Sequence, residues 1–434
     1  MIIPLTDFPA PPAIDRLGGI PPQTPRPTGL TTHLSPAIEA LRADPASADS
    51  FWAGVEAQGT PLVEAILDSA DAAITFLWRG EARQVAVVLN KLTDPSTLRE
   101  AMLEQIPGTE IWARTLRLGE AWRGSYSIAV EPLGGAQTSA SPQADTRRER
   151  SLAVSDPAQH AAINAWFDAL AWASPDPLAR ERSGLASVAS APRAPRFTLP
   201  DGAPPGRLIP ATLANGSRGW WHIPAGPAPE QWDVRVLFDG DDQQGERLDA
   251  WVAAGVKRRV TLLVDSGDLR ARVRDLSCST AMIQALVNAL DGADPSDFGA
   301  PLTRDPAGTS IAGQSLGGLS ALFAQCVAPQ RFGASVCQSG SFWWPNVAGS
   351  GPANASSAVV PEWLTHAIET SRPQLSRVHL EVGTHEWVLL EPTRRLRDVL
   401  ADVTESLHYR EFDGGHDSAC WEVQLPSALM ALED

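Results

Sequence analysis

Residues 309–327 read TSIAGQSLGGLSALFAQCV, and this stretch decides the fold of the C-terminal half of the chain. Within it, Gly313-Gln314-Ser315-Leu316-Gly317 has the spacing G-x-S-x-G. A strand-like segment precedes the motif and a helix-like segment follows it, which is the setting for a sharp turn that presents a serine side chain. The spacing therefore predicts Ser315 as a nucleophile. The alternative is a glycine-rich turn that holds a serine by chance.

Apolar strands and helices alternate from about residue 230 to the end of the chain. The predicted strands span residues 233–238, 259–265, 309–312, 333–338, 378–383 and 407–412. The predicted helices span residues 245–254, 278–291, 316–328 and 392–404. Such alternation is typical of a parallel sheet covered by helices on both faces. Together with the serine turn, it predicts an α/β-hydrolase domain over residues 207–434.

The N-terminal half has a different pattern. Apolar residues with helical spacing occupy residues 36–66, and four short strand-like segments follow. These segments span residues 72–78, 84–90, 110–118 and 123–130. Short sequential strands predict a β-sandwich, which we assign to residues 1–173. Residues 134–158 are polar and are predicted as a loop, and the proline-rich residues 174–206 are predicted as a linker. The predicted fold class is α/β, with an N-terminal β-sandwich domain.

A serine hydroxyl needs a neighbouring base before it can attack an ester. In α/β-hydrolases the chain order is serine, acid, histidine. His416 satisfies this order, because it lies in the loop Asp413-Gly414-Gly415-His416-Asp417 after the last predicted strand. Other histidines precede the serine or lie within predicted elements: His33, His160, His222, His366 and His408. We therefore predict His416 as the base; the alternative is a turn histidine without a catalytic role.

The acid is predicted to follow the strand at residues 378–383. Glu386 lies in that loop and is our candidate for orienting the imidazole. Glu381, within the strand, and Asp413, close to the histidine, are the alternatives.

Two backbone N–H groups are predicted to stabilise the oxyanion. One belongs to Leu316, at the start of the helix after the serine. The other belongs to Gly240 or Asp241, which follow the strand at residues 233–238. An ordinary acidic turn is the alternative explanation of this second loop.

Composition excludes several classes of function. The chain of 434 residues has 35 Lys and Arg against 51 Asp and Glu, a formal net charge of -16, which argues against nucleic acid as a partner. No apolar run is long enough to cross a membrane and no signal peptide is apparent, so we expect a cytoplasmic protein without a membrane partner. The four cysteines show no metal-ligand spacing, so we expect no metal site of the protein's own and reduced thiols.

Two stretches resemble the enterochelin (enterobactin) esterases. They are IAGQSLGGLSALFAQCVAPQRFGASVCQSGSFWWP at residues 311–345 and DGGHDSACW at residues 413–421. FWAGVEAQGTPLVE at residues 51–64 is similar to that family's first domain. The resemblance implies a β-sandwich on an α/β-hydrolase domain. It also implies cytoplasmic hydrolysis of the ester bonds of a catecholate siderophore, usually in its ferric form, with iron only as part of the substrate and no cofactor.

The resemblance also assigns residues. By position, Ser315, His416 and Glu386 are the nucleophile, base and acid. Arg272, helped by Arg274 and by the nearby Arg270, would hold the anionic ferric complex, since guanidinium binds anions and flat rings; a solvated basic helix start is the alternative. Two tryptophans are candidates for stacking on the catechols or for the core: Trp343 and Trp344. Cys278 and Cys420 match family cysteines, which we interpret as buried thiols.

Three departures from the family pattern bear on the substrate. Ser279 stands where asparagine is expected, the loop after Gly240 lacks an aromatic residue, and residues 134–158 resemble an insertion. The alternatives are a general carboxylesterase or acyltransferase acting on another substrate, and a siderophore-binding protein without catalysis.

Overall fold

The computed structural model describes residues 6–13, 21–22, 29–135, 142–241, 244–346 and 360–433. The chain forms two compact units. The N-terminal unit comprises Arg26–Pro195 together with Phe412–Glu422. The C-terminal unit comprises Met1–Pro25, Arg196–Glu411 and Val423–Asp434. The segment Phe412–Glu422, which contains His416, was predicted as part of the domain of residues 207–434 but is grouped with the N-terminal unit.

The N-terminal unit contains two antiparallel sheets. Its strands are β1 (Leu62–Ala65), β2 (Ala72–Arg79), β3 (Gln84–Leu89), β4 (Glu104–Gln105), β5 (Ile111–Leu118), β6 (Arg123–Glu131), β7 (Ala173–Ser174), β8 (Glu181–Ser183) and β9 (Ala186–Ser190). One sheet has the order β1-β2-β5-β4, and the other has the order β3-β6-β9-β8 with β7 beside β6. The predicted sandwich strands are all present.

Alternating apolar side chains join the two sheets into a sandwich. Ile74 and Phe76 of β2 pack in one buried cluster with Val85 and Val87 of β3 and with Tyr126 of β6. The rings of Phe76 and Tyr126 meet edge to face with their centroids 5.0 Å apart. Ile74 and Phe76 are two residues apart, as are Val85 and Val87. Because side chains alternate along a strand, both members of each pair lie on the inner face of their sheet.

In the described part of this unit, five α-helices accompany the sheets: α1 (Pro36–Ala43), α2 (Ala48–Gln58), α3 (Leu98–Ala101), α4 (Pro142–Val154) and α5 (His160–Ala171). Helix α4 falls within residues 134–158, where a loop was expected, so that prediction was wrong for this part. The segment is too polar to show helical periodicity, and Arg148 connects it to α5. Arg148 pairs with Asp168 at 2.7 Å, and its guanidinium lies 5.6 Å from the ring centre of Phe167.

Residues 174–206 also differ from the expected linker, because they contribute the hairpin of β8 and β9 to the second sheet. β9 pairs with β6 from Arg123 opposite Ser190 to Tyr126 opposite Ser187. The prolines lie on either side of this hairpin rather than within it. Because the segment contains many prolines, its sequence did not predict the two short strands. Side chains of β9 such as Val188 are fully buried.

The C-terminal unit is built on one eight-stranded sheet. Its strands are β10 (Arg207–Thr212), β11 (Arg218–Ile223), β12 (Val234–Phe238), β13 (Val260–Val264), β14 (Thr309–Gln314), β15 (Ala334–Gln338), β16 (Leu375–Gly383) and β17 (Thr404–Phe412). The sheet order is β10-β11-β13-β12-β14-β15-β16-β17. Strands β12 to β16 pair in parallel, as predicted, whereas β10 and β11 form an antiparallel edge that was not predicted.

The remaining helices are α6 (Gln244–Ala253), α7 (Leu269–Leu276), α8 (Thr280–Asp291), α9 (Pro295–Phe298), α10 (Leu316–Val327), α11 (Trp363–Ser371), α12 (Trp387–Leu400) and α13 (Ser418–Glu433). Every residue of α10 is buried, which explains why its sequence is apolar or small on all sides. Strands β12 and β13 are buried throughout, as expected for parallel strands covered on both faces.

The hairpin of β8 and β9 can be tested by placing a charge on it. We expect Val188→Asp to lower the free energy of unfolding by about 3 kcal/mol or more, because an unpaired carboxylate would be buried. Leu185→Asp, at the 89% exposed tip of the same hairpin, is the matched control and is expected to leave it unchanged. Guanidinium unfolding of the full chain measures both. Equal stability of the two variants would mean that the hairpin is solvated, as a linker would be.

Candidate active site

Ser315 lies at the turn between β14 and α10, in a backbone conformation that side-chain-bearing residues rarely adopt. Its φ is 58° and its ψ is -120°. Three hydrogen bonds hold this conformation. The Ser315 N–H donates to the Gln338 carbonyl at 3.0 Å, and the Ser315 carbonyl accepts from the N–H groups of Leu319 and Ser341 at 3.1 and 2.9 Å. The motif therefore forms the strained turn that it predicted.

Gly313 is needed because β14 and α10 approach each other closely. A Cβ atom at this position would lie 2.5 Å from the backbone carbonyl carbon of Gly317. Because the atoms in the way belong to the backbone of Gly317, they cannot move aside without displacing the turn. The first glycine of the motif thus sets where Ser315 is presented.

Glu386 lies at the same edge of the sheet as Ser315, two strands away. It follows β16 and immediately precedes α12. Its carboxylate is buried, with 2% of the residue exposed, and its Oε1 accepts from the hydroxyl of Ser339 at 2.6 Å and from the N–H of Gly383 at 2.8 Å. Two donors on one oxygen fix the position of this carboxylate.

The two alternative acids have other surroundings. Glu381 is buried within β16, where it accepts from the amide of Gln338 at 2.6 Å and pairs with His379 at 3.1 Å. Asp413 belongs to the same unit as His416, and its backbone carbonyl accepts from the N–H of Arg123. Glu386 stays our prediction for the acid because of its position after β16.

His416 belongs to the segment that the structure groups with the N-terminal unit. Its carbonyl accepts from the side-chain amide of Asn90 at 3.0 Å. Its ring meets Trp421 edge to face, with centroids 4.7 Å apart. The pairing of His416 with Ser315 stays a prediction.

The loop after β12 changes the assignment of the second oxyanion donor. The Gly240 N–H donates to the Val264 carbonyl at 2.9 Å, so it is already committed to the sheet. Of the two candidates, Asp241 therefore remains. The Leu316 N–H lies in the first turn of α10, where helix N–H groups have no partner within the helix.

Arg272 contacts the protein's own carboxylate. Its Nε and one terminal nitrogen each lie 2.7 Å from the two carboxylate oxygens of Asp239, and that nitrogen also donates to the Gln314 carbonyl at 3.2 Å. Arg272 thus joins the end of β12 to the residue before Ser315. Because its fork-shaped guanidinium is matched by this carboxylate, Arg272 holds the two strand ends together, and its role as a siderophore ligand stays a prediction.

Arg274 forms a similar fork with Asp275, its neighbour in the chain, at 2.8 and 2.6 Å. These hydrogen bonds raise the pKa of Arg274. The side chain is 65% exposed, so this pair is a solvated helix-surface contact. The basic cluster therefore carries less uncompensated charge than its sequence suggested.

Trp343 and Trp344 are core residues. They are 6% and 1% exposed and belong to the main apolar cluster of the C-terminal unit. Trp344 packs edge to face against Trp363 at 5.9 Å between ring centroids. The expectation that they stack on catechol rings therefore gives way to the core alternative.

Sequence reasoning missed two serines after β15. Ser339, with a φ of 47°, donates to Glu386, and the hydroxyl of Ser341 lies 3.3 Å from that of Ser315. The available signal was their position, directly after the strand next to β14. Within the described residues, no His, Cys, Asp and Glu side chains form a group that could hold a metal ion. None of the described helices combines the length and apolarity required to cross a membrane.

Ser339 offers a test of the Glu386 assignment. We expect Ser339→Ala to lower kcat about 10-fold, because a hydrogen bond to a buried carboxylate is worth about 1.5 kcal/mol or more. Ser320→Ala is the control, since Ser320 is equally buried and its hydroxyl has no hydrogen-bond partner in the structure. Hydrolysis of a p-nitrophenyl ester measures both. Full activity of Ser339→Ala would count against Glu386 as the acid.

The roles of Arg272 and Arg274 can be distinguished with a small neutral ester as substrate. We expect Arg272→Ala to lower kcat on this ester at least 10-fold, because Asp239 and the serine turn lose their shared support. Arg274→Ala is expected to change it less than 2-fold. If Arg272→Ala were impaired only on an anionic siderophore, with a raised KM, its role would be direct substrate binding.

Comparison with known proteins agrees with this architecture. Residues 73–199 match the family model "Enterochelin esterase, N-terminal", and residues 298–432 match "Putative esterase". The chain is 30% identical to the iron(III) enterobactin esterase of Dickeya dadantii, over 91% of this chain and 94% of that protein. It is 29% identical to the iron(III) enterobactin esterase of Escherichia coli K12, over 83% and 90% of the two chains.

A solved structure extends the similarity to three dimensions. The enterobactin esterase of Shigella flexneri, crystallised in the presence of enterobactin, superimposes with a TM-score of 0.68 at 25% identity, covering 88% of this chain and 97% of that one. The protein therefore belongs to the enterochelin esterase family and is a serine-type carboxylic-ester hydrolase.

Proposed function

We propose that this protein hydrolyses the ester bonds of a catecholate siderophore such as enterobactin, in its ferric or iron-free form. The observation that carries the proposal is the strained Ser315 with Glu386 fixed at the same sheet edge, in a chain that matches iron(III) enterobactin esterases over nearly their full length. Iron enters as part of the substrate, and no cofactor is needed for the steps below.

In the first half of the reaction, the Ser315 hydroxyl attacks the ester carbonyl carbon while His416 accepts its proton. The carbonyl oxygen becomes negative and is stabilised by the N–H groups of Leu316 and Asp241, aided by the positive end of α10. Glu386 orients the imidazole and stabilises its charged form. The C–O bond to the alcohol then breaks, His416 returns the proton to the leaving oxygen, and an acyl group remains on Ser315.

In the second half, His416 takes a proton from water, and the resulting hydroxide attacks the acyl carbonyl. Collapse of this second oxyanion breaks the bond to Ser315, which recovers its proton from His416. The products are a carboxylic acid and an alcohol, so a trilactone would be opened and then cut into shorter fragments.

The ferric substrate would be anionic, yet this protein carries a formal net charge of -16. The paired Arg272 and Arg274 offer little uncompensated charge to it. Arg270, exposed in the first turn of α7, is the better candidate within the same cluster. Its guanidinium would attract the complex at long range rather than hold it in a buried pocket.

The proposed compartment is the cytoplasm, where siderophore fragments and released iron would be used. The four cysteines are buried, and none of them forms a disulfide in the structure. Cysteines kept as thiols rather than disulfides are typical of proteins in a reducing compartment.

Mass spectrometry of the products tests the proposal. We expect the wild-type protein to convert enterobactin, with or without iron, into linear dihydroxybenzoylserine fragments. Ser315→Ala and His416→Ala are each expected to lower this rate at least 1,000-fold, in line with other serine hydrolases. Intact enterobactin after incubation with a wild-type protein that still cleaves p-nitrophenyl esters would point to a general carboxylesterase. Bound but uncleaved siderophore, without any esterase activity, would indicate a binding protein.

A further inference from the structure

We propose that the β-sandwich unit holds the catalytic base in place, and that Asn90, Arg123 and Asp417 are positioning residues for His416. This inference rests on the proposed role of His416. It assigns to the N-terminal unit a part in the chemical step, distinct from binding the substrate.

Arg123, the first residue of β6, forms three hydrogen bonds with Phe412–Glu422, which we call the histidine segment because it contains His416. Its side-chain Nε donates to the carbonyl of Ala419 at 2.7 Å. Its backbone N–H donates to the carbonyl of Asp413 at 3.1 Å, and its own carbonyl accepts from the thiol of Cys420 at 3.2 Å. One residue of the sandwich thus fixes the chain both before and after His416.

Arg123 is itself held firmly by the sandwich. It is 5% exposed, and one terminal nitrogen donates to Glu181 at 2.5 Å and to Ser190 at 2.6 Å. These partners belong to β8 and β9. The support of the histidine segment therefore extends across the second sheet.

Asp417, the residue after His416, is anchored by its side chain. One carboxylate oxygen accepts from the backbone N–H of Ser125 in β6 at 2.5 Å, and the other accepts from the N–H of Ala419 at 3.0 Å. Asp417 is 3% exposed, so these hydrogen bonds are shielded from water. The carboxylate joins the sandwich to the start of α13.

The backbone of His416 itself is fixed from the end of β3. Asn90 donates its side-chain amide to the His416 carbonyl at 3.0 Å. Gly415 lies so close to this turn that a Cβ atom there would be 2.8 Å from the Cβ of Lys91. The residue before the base, the base and the residue after it are thus all seated on the sandwich.

Such support matters for the rate because a general base acts only within hydrogen-bond reach of the proton it takes. A displacement of about 1 Å can cost about 100-fold in rate. Loosening the segment should therefore lower kcat, while the affinity for the substrate changes little. A residue that only stabilised the fold would have no such selective effect.

Asn90 is the residue to vary, because it contacts His416 from a distant part of the chain and is only half-buried. We expect Asn90→Ala to lower kcat for a p-nitrophenyl ester about 10-fold, and Asn90→Asp to lower it further because a carboxylate would face the His416 carbonyl. KM is expected to stay within 2-fold. Gln105→Ala is the control, since the Gln105 amide also donates to a backbone carbonyl of the same unit, that of Thr109 at 2.9 Å.

The decisive measurement repeats these substitutions in a His416→Ala background. If Asn90 acts through His416, Asn90→Ala is expected to cause no further loss of the residual hydrolysis there. The same fold-loss in both backgrounds, or no loss in either, would overturn the inference. Asp417→Asn provides a second variant with the same expectation, provided that its thermal unfolding matches that of the wild type.

The outcome is distinguishable from failure of the proposed function. If Ser315→Ala and His416→Ala kept full esterase activity, the proposed mechanism itself would be wrong. If Ser315→Ala and His416→Ala lost activity while Asn90→Ala and Asp417→Asn kept it, the proposed mechanism would stand and only the positioning role would be wrong.

Discussion

The constraint on which the C-terminal unit depends is the left-handed backbone at the carboxyl ends of its central strands. Asp239, Ser315 and Ser339 follow β12, β14 and β15 with φ values of 56°, 58° and 47°. Such angles are costly for residues with side chains and persist only where the surroundings enforce them. The three side chains have different roles, since Asp239 pairs with Arg272, Ser315 presents the nucleophile, and Ser339 holds Glu386.

A buried chain of polar side chains supports these turns from within the sheet. The amide of Gln314, next to the nucleophile, donates to Gln338 at 2.8 Å, and the amide of Gln338 donates to Glu381. Glu381 in turn pairs with His379. Because each of these side chains has a partner, the network specifies one arrangement of β14, β15 and β16. Glu381, considered at first as a catalytic acid, thus has a place in the framework of the site.

How far the sequence predicted this structure depends on the range of the interactions. Strands β12 to β16 were predictable because parallel strands buried on both faces are continuously apolar. Strand β10 was not, since none of its residues is fully buried and it contains Pro210. Ser315 was predictable from a local motif. The pairing of Arg272 with Asp239, 33 positions apart, and that of Arg123 with the histidine segment, nearly 300 positions away, leave no pattern in a single sequence.

The seating of residues 412–422 on the β-sandwich has a consequence for how proteins of this kind can be recombined. A chimera cut only at residue 195 would pair one protein's sandwich with another's histidine segment, and the complementary surfaces of Arg123, Asp417 and Asn90 would no longer be inherited together. Exchange between relatives would have to carry the C-terminal loop along with the N-terminal strands. The sandwich strands and residues 412–422 therefore have to be inherited together, although they lie far apart in the sequence.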